Sequence, residues 1–167
     1  DKLKSSGAHV SWVPAANLHL SMVFLGDILV ESVPELAKIL DEAAAIGSAL
    51  DCEVAGLGTF GGRRAPRVIW AGVDAPRLLY SLQVRAADAA RLLDIQVERR
   101  NYHPHVTLGR VRSRRGREEL LGTIRENSST EFGSFTAERL VLMRSFLEPG
   151  GARYSLLHAS SFVPEKT

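Results

Sequence analysis

Two short segments whose histidines stand 86 positions apart share one pattern, and they constrain this chain more than any other feature. The first is Asn17-Leu18-His19-Leu20-Ser21-Met22-Val23-Phe24-Leu25-Gly26 and the second is Pro104-His105-Val106-Thr107-Leu108-Gly109-Arg110. In an extended chain successive side chains alternate between faces, so His19 with Ser21, and His105 with Thr107, share a side while their apolar neighbours take the other. The pattern asks for two half-buried strands, each presenting an imidazole beside a hydroxyl. Near neutral pH one imidazole can take a proton while another gives one, and two hydroxyls can hold the oxygens of a phosphate.

The tripeptide alone does not single these segments out. His9-Val10-Ser11 and His158-Ala159-Ser160 fit it as well, so four of the five histidines match and the flanks must separate them. His9 and His158 lack such flanks and read as hydrogen-bonded structural residues of half-buried strands. The pair His103-Pro104-His105 places two imidazoles on one strand face, as a metal site would. Neither a nearby carboxylate nor a cysteine completes a ligand set, so no metal and no cofactor is expected.

At 167 residues and 45% apolar content the chain can build one domain, or two small lobes sharing a core. A single cysteine, Cys52, leaves no internal disulfide and no cysteine-based zinc site. No apolar run approaches the roughly 20 residues of a membrane helix. The expectation is a soluble, cytoplasmic monomer without a membrane partner. Net charge is only +2, but 17 of the 21 basic residues are arginine, and five of them fall between Arg110 and Arg117. Arginine's planar fork suits phosphate and stacks on bases, so this cluster reads either as a nucleic-acid contact or as a solvated loop.

Alternating apolar patterns mark strands at about 8–13, 18–25, 52–59, 68–73, 97–100, 105–111, 139–146 and 154–162. Three helices separate them. The first has Ser32 as cap with Glu35 three residues on, Pro34 in its opening turn, and Leu36, Ile39, Leu40, Ala43 and Ile46 on one face. The second follows Asp74, and the third spans about 117–126. Strands and helices alternate in blocks, which argues for α+β with antiparallel sheets over a doubly wound parallel sheet.

The stretches Asn-Leu-His-Leu-Ser-x-x-Phe-Leu-Gly and Pro-His-Val-Thr-Leu-x-Arg resemble the two-histidine (2H) phosphoesterase superfamily, and within it the RNA 2′,3′-cyclic phosphodiesterases, also called 2′-5′ RNA ligases. Ser11-Trp12-Val13-Pro14, residues 66–73, Glu98-Arg99-Arg100 and Gly150-Gly151-Ala152-Arg153-Tyr154 extend the likeness over nearly the whole chain. The resemblance implies a bilobal, pseudo-twofold fold: a single domain of two similar lobes, each a small antiparallel sheet backed by helices, with the histidine strands lining a central groove. Two departures stand out. Ser21 replaces the usual threonine, keeping the hydroxyl. Only Asp1 to Gly7 precede the Trp-Val-Pro segment, where the family opens with an apolar strand and a helix, so that strand is expected to be absent from these residues.

What the resemblance implies chemically is hydrolysis of RNA 2′,3′-cyclic phosphate ends, or of cyclic nucleotides, to 2′-phosphomonoesters without a metal. His19 is then the proton donor to the 3′ oxygen and His105 the proton acceptor from water, with Ser21 and Thr107 on the phosphate. The family also places an arginine at the position of Arg110 to contact that phosphate. Strand parity from His105 puts Arg110 on the opposite face; a bulge at Gly109 would restore it. Phe60 and Tyr102 could stack on a base or serve as packing. Two other functions remain open: reversible 2′-5′ RNA ligation at the same site, and a non-catalytic nucleotide- or RNA-binding module.

Overall fold

The computed structural model describes residues 2–62, 65–98, 101–148 and 151–163. It is α+β, with a five-stranded and a two-stranded sheet among the described residues. Chain contacts divide it into two compact units. The first holds Asp1–Leu20, Glu53–Asp74 and His103–Ser134; the second holds Ser21–Cys52, Ala75–Tyr102 and Phe135–Thr167.

The five strands of the first sheet are β1 (Val10–Trp12), β2 (Leu50–Gly62), β3 (Ala65–Asp74), β4 (His105–Val111) and β5 (Glu131–Ala137), in the order β1-β4-β3-β2-β5. The β1–β4, β3–β4 and β2–β3 pairs are antiparallel. Strand β3 carries the alternation that makes one face of this sheet a core. Ile69, Ala71 and Val73 are buried, while Val68, Trp70 and Gly72 on the other face are only partly covered. Ile69 and Ala71 pack with Leu57 and with Leu120 and Ile124 of helix α4 (Arg117–Glu126), and Val10, Trp12 and Val111 close over them. Ile69 and Leu120 are wholly inaccessible, each burial contributing on the order of 2 kcal/mol. Helix α4 thus covers one face of the sheet and leaves the other for chemistry. A short helix α1 (Lys2–Ser5) precedes β1.

In the second unit, helices α2 (Val33–Ala45) and α3 (Arg77–Leu92) bury Leu36 and Ala90 against Ile95 and Leu142, the latter on β6 (Arg139–Glu148). Strand β6 pairs antiparallel with β7 (Gly151–Ser161). Asp41 of α2 accepts hydrogen bonds from His158 Nε2 at 2.8 Å and Ser160 Oγ at 2.6 Å, which gives His158 the structural role expected of it. No helix among the described residues is long and apolar enough to cross a membrane.

Several elements differ from the sequence reading. The strand expected at 18–25 is reduced to one bridge, Leu20 to Val106. The cause lies in the turn before it. Strand β1 pairs along one edge of β4, with Trp12 opposite Gly109, and a 3₁₀ turn at Ala15–Asn17 then lifts the chain off before Leu20 regains that edge. Residues 95–98 form no strand, and Arg99 and Arg100 lie outside the described residues, as does Gly150. Ser32 makes no side-chain cap, because it ends a 3₁₀ turn in helical geometry rather than standing extended ahead of α2. Strand β5 and helix α1 carried no signal that the alternation could detect.

Candidate active site

Strand β4 presents the second motif, and its register decides which side chains share a face. Gly72 pairs with His105 and Trp70 with Thr107, but Ile69 pairs with Gly109 and Val68 with Arg110. Leu108 is therefore an extra residue, a bulge beside Gly109. Residues directly opposite in a ladder point the same way, and Val68, Trp70 and Gly72 share one face of β3. His105, Thr107 and Arg110 accordingly lie together on the face away from α4, with Arg110 exposed. The bulge resolves the parity conflict at Arg110.

The first motif joins the same strand. Leu20 bridges Val106, which pairs with the buried Ala71, so both belong to the core-facing set. Alternation along the extended chain then puts position 19 on the face of His105 and Thr107. Both imidazoles are held by one local device: His19 Nδ1 lies 2.7 Å from the carbonyl oxygen of Asn17, and His105 Nδ1 lies 2.6 Å from that of His103. A carbonyl only accepts, so each Nδ1 carries the hydrogen and each neutral ring offers Nε2 as its basic nitrogen.

Ser21 follows Leu20 directly and is counted with the second unit. There its carbonyl accepts a hydrogen bond of 3.2 Å from the hydroxyl of Tyr102. The Tyr102 ring meets Tyr80 edge-on at 6.0 Å. Burial, with Tyr80 and Cys52 adding to it, pushes the Tyr102 phenol well above its ordinary range, so it stays a neutral donor. Tyr102 is thus engaged in packing and a backbone bond.

An aromatic wall stands beside His105. The Phe60 ring meets the His105 imidazole edge-on at 4.8 Å and lies 5.4 Å from Trp70, whose indole in turn meets His103 at 4.8 Å. Phe60 belongs to β2 opposite Val68, on the face of Trp70. The indole lies so close over Gly58 that a Cβ there would stand 2.1 Å from Trp70 Cζ2. Trp70 Nε1 is buried without a hydrogen-bond partner among the described residues. Sequence reading noted Phe60 but missed Trp70 and Gly58. Their signal was the alternation of β3, which puts a tryptophan on the face opposite the core.

The model of the 2′-5′ RNA ligase superfamily matches residues 2–145, and the chain belongs to that family. An RNA 2′,3′-cyclic phosphodiesterase of Methanothermobacter thermautotrophicus is 32% identical over 161 residues, covering 93% of this chain and 84% of that protein. One of Aeropyrum pernix is 29% identical over 160 residues, covering 95% and 89%. Among solved structures, the TT0787 protein of Thermus thermophilus superposes with a TM-score of 0.78 at 25% identity, covering 95% of this chain and 85% of that one. Escherichia coli LigT, solved with 3′-AMP, shares the fold with a TM-score of 0.73 at 23% identity, covering 93% and 82%.

Proposed function

We propose that this protein hydrolyses RNA 2′,3′-cyclic phosphate ends to 2′-phosphomonoesters, with His19 and His105 as paired acid and base. The observation that carries the reading is the matched tethering of the two imidazoles, each Nδ1 to the carbonyl two residues back, on segments joined at Leu20–Val106. Relatives named RNA 2′,3′-cyclic phosphodiesterase support the substrate class.

In this mechanism the cyclic phosphate lies over Thr107. Neutral His105 accepts a proton at Nε2 from water as the water oxygen bonds to phosphorus. The bond from phosphorus to O3′ breaks, and protonated His19 gives its Nε2 proton to that oxygen, leaving a 2′-phosphate and a 3′-hydroxyl. Ser21 and Thr107 donate hydrogen bonds to the non-bridging oxygens, most usefully as charge builds on them, and Arg110 neutralises it. Each proton transfer contributes about 10² to 10⁴ in rate. Every group in the cycle is a protein side chain, so the reaction proceeds with a chelator present.

Incubation with 2′,3′-cyclic CMP and EDTA, read by ³¹P NMR, tests it: a 2′-phosphate is expected, and a 3′-phosphate or complete inhibition by EDTA overturns the mechanism. The superfamily match also favours a second use of the same groups in the same roles: a 5′-hydroxyl replaces water, His105 takes its proton as its oxygen bonds to phosphorus, and His19 protonates O3′ as that bond breaks, leaving a 2′-5′ linkage. A longer product on a gel, from RNAs bearing a cyclic phosphate and a 5′-hydroxyl, would establish that activity.

A further inference from the structure

We propose that the arginine loop following β4, through Arg112, Arg114 and Arg115, binds the ribose-phosphate chain 5′ of the cyclic end, so that the enzyme selects oligoribonucleotides over cyclic mononucleotides. The inference rests on the hydrolase reading above and assigns that site a polymer track. Strand β4 begins with the candidate base and runs straight into the loop. At about 3.3 Å per residue the loop opens some 15 Å from Thr107, beyond the reach of a mononucleotide but within that of an oligonucleotide. Arg110, turned to the reacting face by the bulge, stands between the two.

The loop's charge is available. Arg112, Arg114 and Arg115 are exposed, and none of them pairs with a carboxylate among the described residues. Arg114 and Arg117 also line a hollow of about 390 Å³ with Gly116. Glu118 and Glu119 border the same hollow, which directs a polyanion along the arginines and away from it. The loop is held at both ends. The Arg112 N–H donates to the His9 carbonyl at 2.8 Å, and the Arg115 N–H to Ser113 Oγ at 3.3 Å. Gly116 has φ +63° and sits where a Cβ would meet Ala8 N at 2.6 Å, so only glycine closes the loop there. A tethered loop loses less entropy on binding than a free one.

Three phosphate contacts on a single strand give a salt slope of about −2, so binding falls roughly 20-fold between about 50 and about 200 mM salt from this loop alone. The test is fluorescence anisotropy with a short 3′-phosphorylated oligoribonucleotide, beside turnover of 2′,3′-cyclic CMP and of the same oligonucleotide with a cyclic end. The triple variant R112A/R114A/R115A should lose most of the salt slope and the preference for the oligonucleotide, yet turn over cyclic CMP within about twofold of wild type. The triple lysine variant should keep the slope. Equal slopes in wild type and the alanine variant, or equal losses on both substrates, overturn the proposal. Should the wild type turn over neither substrate, the hydrolase reading fails while the anisotropy still decides whether the loop binds RNA.

Discussion

Gly58→Ala tests whether the aromatic wall positions His105. The added Cβ would lie 2.1 Å from Trp70 Cζ2, 2.2 Å from Cη2 and 2.7 Å from Cε2, all rigid ring atoms. Ordinary contact starts near 3.4 Å, so the indole must move by at least about 1.3 Å. It moves against His103 at 4.8 Å and Phe60 at 5.4 Å, and Phe60 bears on His105 at 4.8 Å. Overpacking of this kind costs about 1–3 kcal/mol, and about 1 Å of misplacement at a reacting group can cost on the order of 10²-fold in rate. With Phe60 and His103 absorbing part of the shift, a fall in kcat of about tenfold is expected, with a melting temperature lower by roughly 2–10 °C. Near-UV circular dichroism reports the indole's displacement directly. Wild-type kcat in a variant whose near-UV spectrum has changed would refute the coupling of the wall to His105.

Three further outcomes follow from the same geometry. His19→Ala and His105→Ala should each lower turnover of a cyclic substrate by at least about 10²-fold, and the wild-type pH profile should be bell-shaped; a monotonic profile between about pH 5 and 9 counts against paired catalysis. Tyr102→Phe removes one long hydrogen bond of 3.2 Å to the Ser21 carbonyl and should cost about 0.5–1 kcal/mol in urea denaturation. Because the folded phenol titrates above the ordinary value of 10.0, the wild type should lose stability relative to this variant only above about that pH, as the unfolded tyrosine ionises first. Hydrogen bonds from Ser160 and then His158 hold the Asp41 carboxyl below 3.8, so its stabilisation is present above that pH and lost as pH falls through the lowered value. Thermal melts of wild type and Asp41→Asn should converge in acid; a gap constant with pH rules the linkage out.

The best-read elements were those whose buried face repeats cleanly. Strand β4 at His105–Val111 and helix α4 at Arg117–Glu126 have the bounds expected from the sequence. Strand β5 escaped because six of its seven residues are exposed, leaving no apolar period to read. Residues 18–25 have a strand's pattern without its ladder, since β1 already occupies the far part of the β4 edge that Leu20 joins. Arg110 was ambiguous for a physical reason: parity counted from His105 holds only to the bulge at Leu108, and nothing but the neighbouring glycine hints at one. The carbonyl partners of the imidazoles lie in the backbone and are invisible to any reading of side-chain types.

Those backbone partners also explain what the fold must supply and what it need not. Each imidazole takes its tautomer from the carbonyl two residues earlier, so that part of each motif is complete within its own segment. What remains for tertiary structure is register. Strand β1 pairs with β4 so that Val10 meets Val111; continued without interruption, that line would bring residue 15 opposite Val106. Leu20 stands there instead, the turn at Ala15–Asn17 having taken up the difference. A slip of one residue would set His19 opposite Val106 and turn its ring toward the side of Ala71, where the sheet is packed with hydrocarbon. The face on which the first histidine appears is therefore governed by the length of a short turn that carries no chemistry of its own.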